Sequence, residues 1–176
     1  MDKIIKHLGE LQNLVMAQAA AKGFGIRSED IIVAEKVALI HSELSESYEA
    51  YKQNNLDGHD GFYEELGDVL QRVLHLAGTF AVTPKLSERS FERGQSTVET
   101  AVLFLHCQMS TVYEHFRRGR LAEFKAALAE LPMVIYHVSD QFDFSIIKAV
   151  QDKLIINQDR DWQKEGKVNE KFVGNN

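Results

Sequence analysis

The sequence predicts an all-α protein, and three observations predict it. Only two prolines occur among 176 residues, Ala, Leu, Glu, Lys and Gln dominate long stretches, and apolar residues recur at helical rather than alternating spacing. A content of 44% hydrophobic and 26% charged residues suits a globular chain with a real core. One domain spanning residues 1–176 is expected.

Taken in order, Ile4, Leu8, Leu11 and Val15 mark a first helix over about 3–21, stopped by the glycines of KGFG at 22–25. Ser28 or Asp30 can cap a second helix running to about Asn54, where NNLDGHDG reads as a glycine and Asx turn. A third helix is expected from Gly61 to Val82, closed by Thr83-Pro84. Residues 84–96 read as a linker with one helical turn. Thr97 then caps a fourth helix to Arg118, and Gly119 breaks it. Residues 121–142 form a fifth helical stretch, interrupted or kinked near Pro132, and 143–158 a sixth. From Asp159 the tail is polar and irregular.

Charge and composition exclude several classes. With 26 acids against 20 bases the net charge is -6, which disfavours a polymeric nucleic-acid partner. The single Cys107 rules out an internal disulfide; no apolar run reaches the length of a membrane span, and the expected compartment is cytoplasmic. Cys107 itself reads as a buried helical thiol.

A shift of the chain by 65 residues aligns LIHSELSESYEAYK with FLHCQMSTVYEHFR, and across residues 37–73 it matches 10 identical residues in 37, among them His41, Tyr48, Glu49 and Glu65. Shared periodicity accounts for matched leucines, not for matched histidine and Tyr-Glu. The expectation is therefore two duplicated helical hairpins, about 31–82 and 97–142.

The acids fall in a pattern. Val33, Val37, Ile40, Leu44, Tyr48 and Tyr51 make the core seam of the second helix, while Leu39, Glu43, Glu46 and Ala50 form a second seam beside it. On the third helix Phe62, Leu66, Val69, Val73 and Leu76 make the seam, flanked by Glu65, Asp68, Arg72 and His75. If the hairpin is antiparallel, Glu43 and Glu46 face Glu65 and Asp68. Four unpaired carboxylates would repel one another, so a cation belongs among them, and hard oxygen ligands select Mg²⁺, with Mn²⁺ as substitute. A lone Glu-x-x-Glu is more simply a solvated face; Glu49 and Glu64 read that way. The second hairpin keeps the seam but replaces Glu43, Glu46 and Asp68 with Gln108, Thr111 and Met133, retaining only Glu65 as Glu130. That loss fits a decayed metal site better than a solvated face.

These residues resemble the all-α NTP pyrophosphohydrolase superfamily, the MazG-like enzymes and the related dimeric dUTPases. The likeness rests on E43-L-S-E46, on E65-L-G-D68 followed by VLQRVLHLAG, and on K153-L-I-I-N157-Q-D-R160 followed by K164-E-G166-K167. The resemblance implies Mg²⁺-dependent cleavage of a nucleoside triphosphate between its α and β phosphates, with Glu43, Glu46, Glu65 and Asp68 as metal ligands. Glu46 is favoured over Glu43 as the catalytic base. It further implies that Lys153, Asn157, Arg160, Lys164 and Lys167 bind substrate, and that the chain forms a homodimer. Trp162 is a candidate for stacking on the base. Without the resemblance, Lys153, Asn157 and Arg160 read equally well as a solvated helix end, and the acids as the interaction surface of a helical adaptor. A di-iron bundle is disfavoured because its Glu-x-x-His pairs are missing.

Overall fold

The computed structural model describes residues 1–87 and 97–158. Six α-helices make up its frame: α1 (Asp2–Ala21), α2 (Val33–Lys52), α3 (Phe62–Thr79), α4 (Val98–Arg117), α5 (Leu121–Gln141) and α6 (Ile146–Gln158). No β-strand occurs among the described residues. The chain is an all-α helical bundle, as its composition and periodicity predict.

The central element is α3, which packs against α1, α2, α5 and α6. Its sequence dictates that position, because Leu66, Val69, Leu70, Val73, Leu74, Leu76 and Ala77 are all buried and leave only a narrow polar strip. Each buried leucine contributes roughly 2 kcal/mol by leaving water, so α3 organises the core. The side-chain amide of Gln12 on α1 donates to the carbonyls of Leu74 and Val82, tying α1 to the end of α3. Helices α2 and α3 are antiparallel: Glu43 meets Arg72 near their middles, and the Tyr51 and Phe62 rings lie 6.2 Å apart near the connection.

Helix boundaries follow the expected punctuation, with three differences. Gly23 (φ +78°) and Gly119 (φ +69°) take the left-handed conformations that end α1 and α4, and Thr97 caps α4 by accepting from the Thr100 N–H. Ser28–Asp30, by contrast, form a separate 3₁₀ turn and not the start of α2. Asp30 accepts from the Arg27 N–H and guanidinium, which closes that turn, and Ile31 and Ile32 are extended before α2 begins at Val33. The third helix stops at Thr79, three residues short of expectation, in a turn with Ala81 at φ +52°. Helix α5 runs unbroken through Pro132. A mid-helix proline costs about 3 kcal/mol; here Leu128, Ala129, Leu131, Met133, Val134 and Ile135 around it are all buried, and that packing holds the helix together. The helical turn expected within 84–96 and the tail from Asp159 lie outside the described residues, apart from 84–87, which are not helical.

The shift of 65 residues carries Val33 onto Val98 and Lys52 onto Arg117, so the bounds of α2 coincide with those of α4. The bounds of α3 and α5 do not coincide in this way. Helices α2 and α4 pack together, with His41 and His106 facing each other at Nδ1–Nδ1 2.6 Å. Nitrogens this close in rings nearly parallel (6°), with centres 4.9 Å apart, require the imidazoles to meet edge to edge in one plane. One Nδ1–H donates and the other Nδ1 accepts, so the rings hold complementary tautomers. Cys107 differs from expectation: it is exposed, on the outward side of α4 with Leu103 and Ser110.

Candidate metal centre

The polar strip of α3 faces the second seam of α2, and there three carboxylates converge. Glu43, Glu46 and Glu65 each offer an oxygen, all within 4.8 Å of one another. Glu43 and Glu65 are 7% and 5% exposed, while Glu46 opens to solvent. Ligands about 2.1 Å from a Mg²⁺ ion lie at most about 4.2 Å apart. The three oxygens are thus within small rotamer adjustments of one coordination sphere, and the all-oxygen donor set fits Mg²⁺ or Mn²⁺.

The electrostatics point the same way. Burial, then a hydrogen bond with Glu43 and the negative charges of Glu43 and Asp68, push the Glu65 carboxyl up to about 8, only partly offset by Lys153. At neutral pH a proton therefore sits between Glu65 and Glu43 where a cation would otherwise be needed. Arg72 supplies a second positive charge: its Nε donates to Glu43 Oε1 at 2.7 Å and its Nη2 reaches the same oxygen. Among the described residues Glu46 has no cationic partner; the Ser42 hydroxyl donates to its Oε1 at 2.8 Å.

The fourth expected ligand stands apart. Asp68 does not join the trio, because Lys153 on α6 holds its Oδ2 at 2.9 Å and Glu64 Oε1 at 2.7 Å. Burial pushes Asp68 up to about 6 although Lys153 pulls the other way. For Lys153, burial favours the neutral amine, but Asp68 and Glu64 outweigh it and hold the ammonium above its usual range. The ammonium gives Asp68 the positive charge that a metal ion would give. Glu64, expected as a surface charge, is a partly buried member of this pair.

The substrate-binding set is also placed differently. Lys153 and Asn157 are 9% and 4% exposed and lie on the buried stripe of α6 with Ile146 and Val150. Spacing of i, i+4 marks a core seam as readily as a ligand-facing row, and here the seam is what forms. The close approach of α6 needs Gly67, whose absent Cβ would lie 3.1 Å from Ala149 Cβ. Asn157 Oδ1 is buried without a hydrogen-bond partner among the described residues. Arg160, Trp162, Lys164 and Lys167 lie outside the described residues.

Two cations near the cluster have no role in the sequence reading. Arg72 stood on the acidic line, one turn after Asp68, and that position was its signal. Lys36, half-buried on the second seam one heptad before Glu43, continues the 36-39-43-46 spacing. His75, on the same line, donates from Nε2 to the Gly25 carbonyl at 2.8 Å and so secures the loop before α2. A second group, His59, Asp60 and Glu64, gathers at the α2–α3 connection, but Glu64 is already engaged by Lys153 and by the Asp60 N–H.

No family model matches the chain, and no curated protein or solved structure is significantly similar to it. Among the described residues no helix is long and apolar enough to cross a membrane. The structure thus defines an all-α bundle with a carboxylate cluster between its second and third helices.

Proposed function

We propose that the chain is a Mg²⁺-dependent nucleoside triphosphate pyrophosphohydrolase that releases a nucleoside monophosphate and pyrophosphate. The observation that carries this reading is the convergence of Glu43, Glu46 and Glu65, where burial and the neighbouring acids push the Glu65 carboxyl up to about 8. An acidic face used only for adaptor contacts would be solvated; here Glu43 and Glu65 are buried at the cost of a carboxylate forced to stay neutral. The loss of three of the four acids from the second hairpin also supports the reading, taking the hairpins as a duplication with one active copy.

Bound Mg²⁺ would neutralise phosphate oxygens and lower the pKa of a water. Glu43 is fixed by Arg72 and serves as a ligand; Glu46, solvent-facing and without a cationic partner among the described residues, is the group that takes a proton from attacking water. Ser42 orients the Glu46 carboxylate. Water adds to the α phosphorus, the bond from that phosphorus to the bridging oxygen breaks, and the electron pair leaves with pyrophosphate. Lys153 holds Asp68 and Glu64 in place, and Asp68 becomes a further ligand only if the ammonium releases it. Asn157 Oδ1, on the same face of α6, has no hydrogen-bond partner among the described residues. A homodimer and a preference among dNTPs belong to this proposal through the family resemblance.

The test is a panel of dNTPs with Mg²⁺, assayed for pyrophosphate, with wild type beside Glu46→Gln and Asp68→Asn. The reading expects release by wild type and a loss of at least a hundredfold in Glu46→Gln. Negligible release by all three proteins would sink it.

A further inference from the structure

Beyond the carboxylates, the same α2–α3 seam carries two cations, Lys36 and Arg72. Lys36 on α2 is half-buried, and its ammonium makes no hydrogen bond or ion pair among the described residues. Its nearest charges include Arg72, of like sign, and Glu35 beside it on α2. His75, one turn beyond Arg72 on α3, lies within electrostatic reach of both Lys36 and Arg72. An unpaired ammonium held partly out of water beside a guanidinium is unfavourable by itself. Burial and Arg72 lower the Lys36 pKa, against Glu35, and His75 is lowered by burial and by the same two cations. An anion placed between them would relieve all of these penalties.

We propose that Lys36 and Arg72 form an anion subsite for the pyrophosphate group of the substrate. Lys36 stands seven residues before Glu43, two helical turns or about 10 Å along α2. Arg72 is bonded to Glu43 and lies within electrostatic reach of Lys36. That spacing matches an extended polyphosphate better than a single phosphate. The acids would then sit at the phosphorus attacked by water, and the cations where negative charge accumulates as pyrophosphate departs. The guanidinium keeps donors beyond the two spent on Glu43, and a lysine serves as a point charge for phosphate. The inference rests on the pyrophosphohydrolase reading only in naming the leaving group.

Calorimetric titration with inorganic pyrophosphate in EDTA, free of divalent metal, tests the subsite without requiring turnover. Wild type should bind, Lys36→Met should bind at least tenfold more weakly, and Lys36→Arg should bind within about threefold of wild type. Lys36→Met exchanges an unpaired ammonium for an apolar chain of similar length and should melt no lower than wild type; Lys36→Gln gives a second, polar replacement. Lys36-dependent binding in a protein that hydrolyses no triphosphate would uphold the subsite and overturn the proposed function. Hydrolysis by a protein whose pyrophosphate binding is absent, or unchanged in Lys36→Met, would overturn the subsite and leave the function standing.

Discussion

Metal binding at the carboxylate cluster should expel a countable proton. Glu65 titrates at about 8, so at pH 7 it is about ten parts protonated to one ionised, and an ion that claims the carboxylate releases about 0.9 proton. Asp68, titrating at about 6, adds about 0.1 if it too is engaged. At pH 9 the Glu65 ratio inverts and release should fall to about 0.1. Titrating Mg²⁺ calorimetrically in buffers of different ionisation enthalpy reads the number from the slope of observed heat against buffer heat. The stability counterpart has a definite sign. The folded pKa of Glu65 is raised above its value of 4.5 in the unfolded chain, so its contribution is fully present below pH 4.5 and is lost as pH rises through about 8. Mg²⁺ should abolish that decline, and Glu65→Gln, neutral at every pH, should lack both the decline and the proton release. Mg²⁺ binding with fewer than about 0.3 protons released at pH 7, or with release unchanged between pH 7 and pH 9, would refute the protonated cluster.

Lys153→Met should destabilise the fold by about 3 kcal/mol in urea titration at pH 8, because it strands two carboxylates beside a buried position, and by less at pH 5, where they can protonate. Burial lowers the pKa of His41 and His106 below 6.5, so their contribution is complete above that pH and is lost as pH falls through the folded values. A His41→Leu, His106→Leu double variant should accordingly lose less Tm than wild type between pH 7.5 and pH 5.5. Gly67→Val should push α6 from α3 and cost about 1–3 kcal/mol, with partial recovery on adding Ala149→Gly. Glu130→Gln should leave turnover within a few-fold, whereas Glu65→Gln should remove most of it; equal damage would contradict the decayed second hairpin.

Much of the fold is legible because helix periodicity and glycine stops are local signals. The seam of α3 can be read directly from Leu66, Val69, Val73 and Leu76, and the stop at Gly119 from its need for positive φ. What failed to show was set by tertiary packing. Pro132 reads as a break until the buried residues on either side of it are known, and Ser28–Asp30 read as a helix start until the extended Ile31 and Ile32 intervene. At the site, the pairing of Glu43 and Glu46 with Glu65 follows from two intrahelical spacings and one short connection. The partners of Asp68 did not, because Lys153 comes from a helix 85 residues further along, and a lysine at a core spacing looks the same in sequence as one facing substrate. Arg72 and Lys36 carried a weak signal, their places on the two acidic lines, that makes sense only once α2 and α3 are seen face to face.

The central claim is hydrolysis at the α phosphorus of a nucleoside triphosphate. Turnover of a dNTP with Mg²⁺ in ¹⁸O-labelled water, followed by mass spectrometry of the products, tests it most directly. Attack at the α phosphorus puts one labelled oxygen in the nucleoside monophosphate and none in pyrophosphate, and Glu46→Gln should lose the labelled product. Label in pyrophosphate or inorganic phosphate, a nucleoside diphosphate product, or no turnover of any dNTP would contradict it.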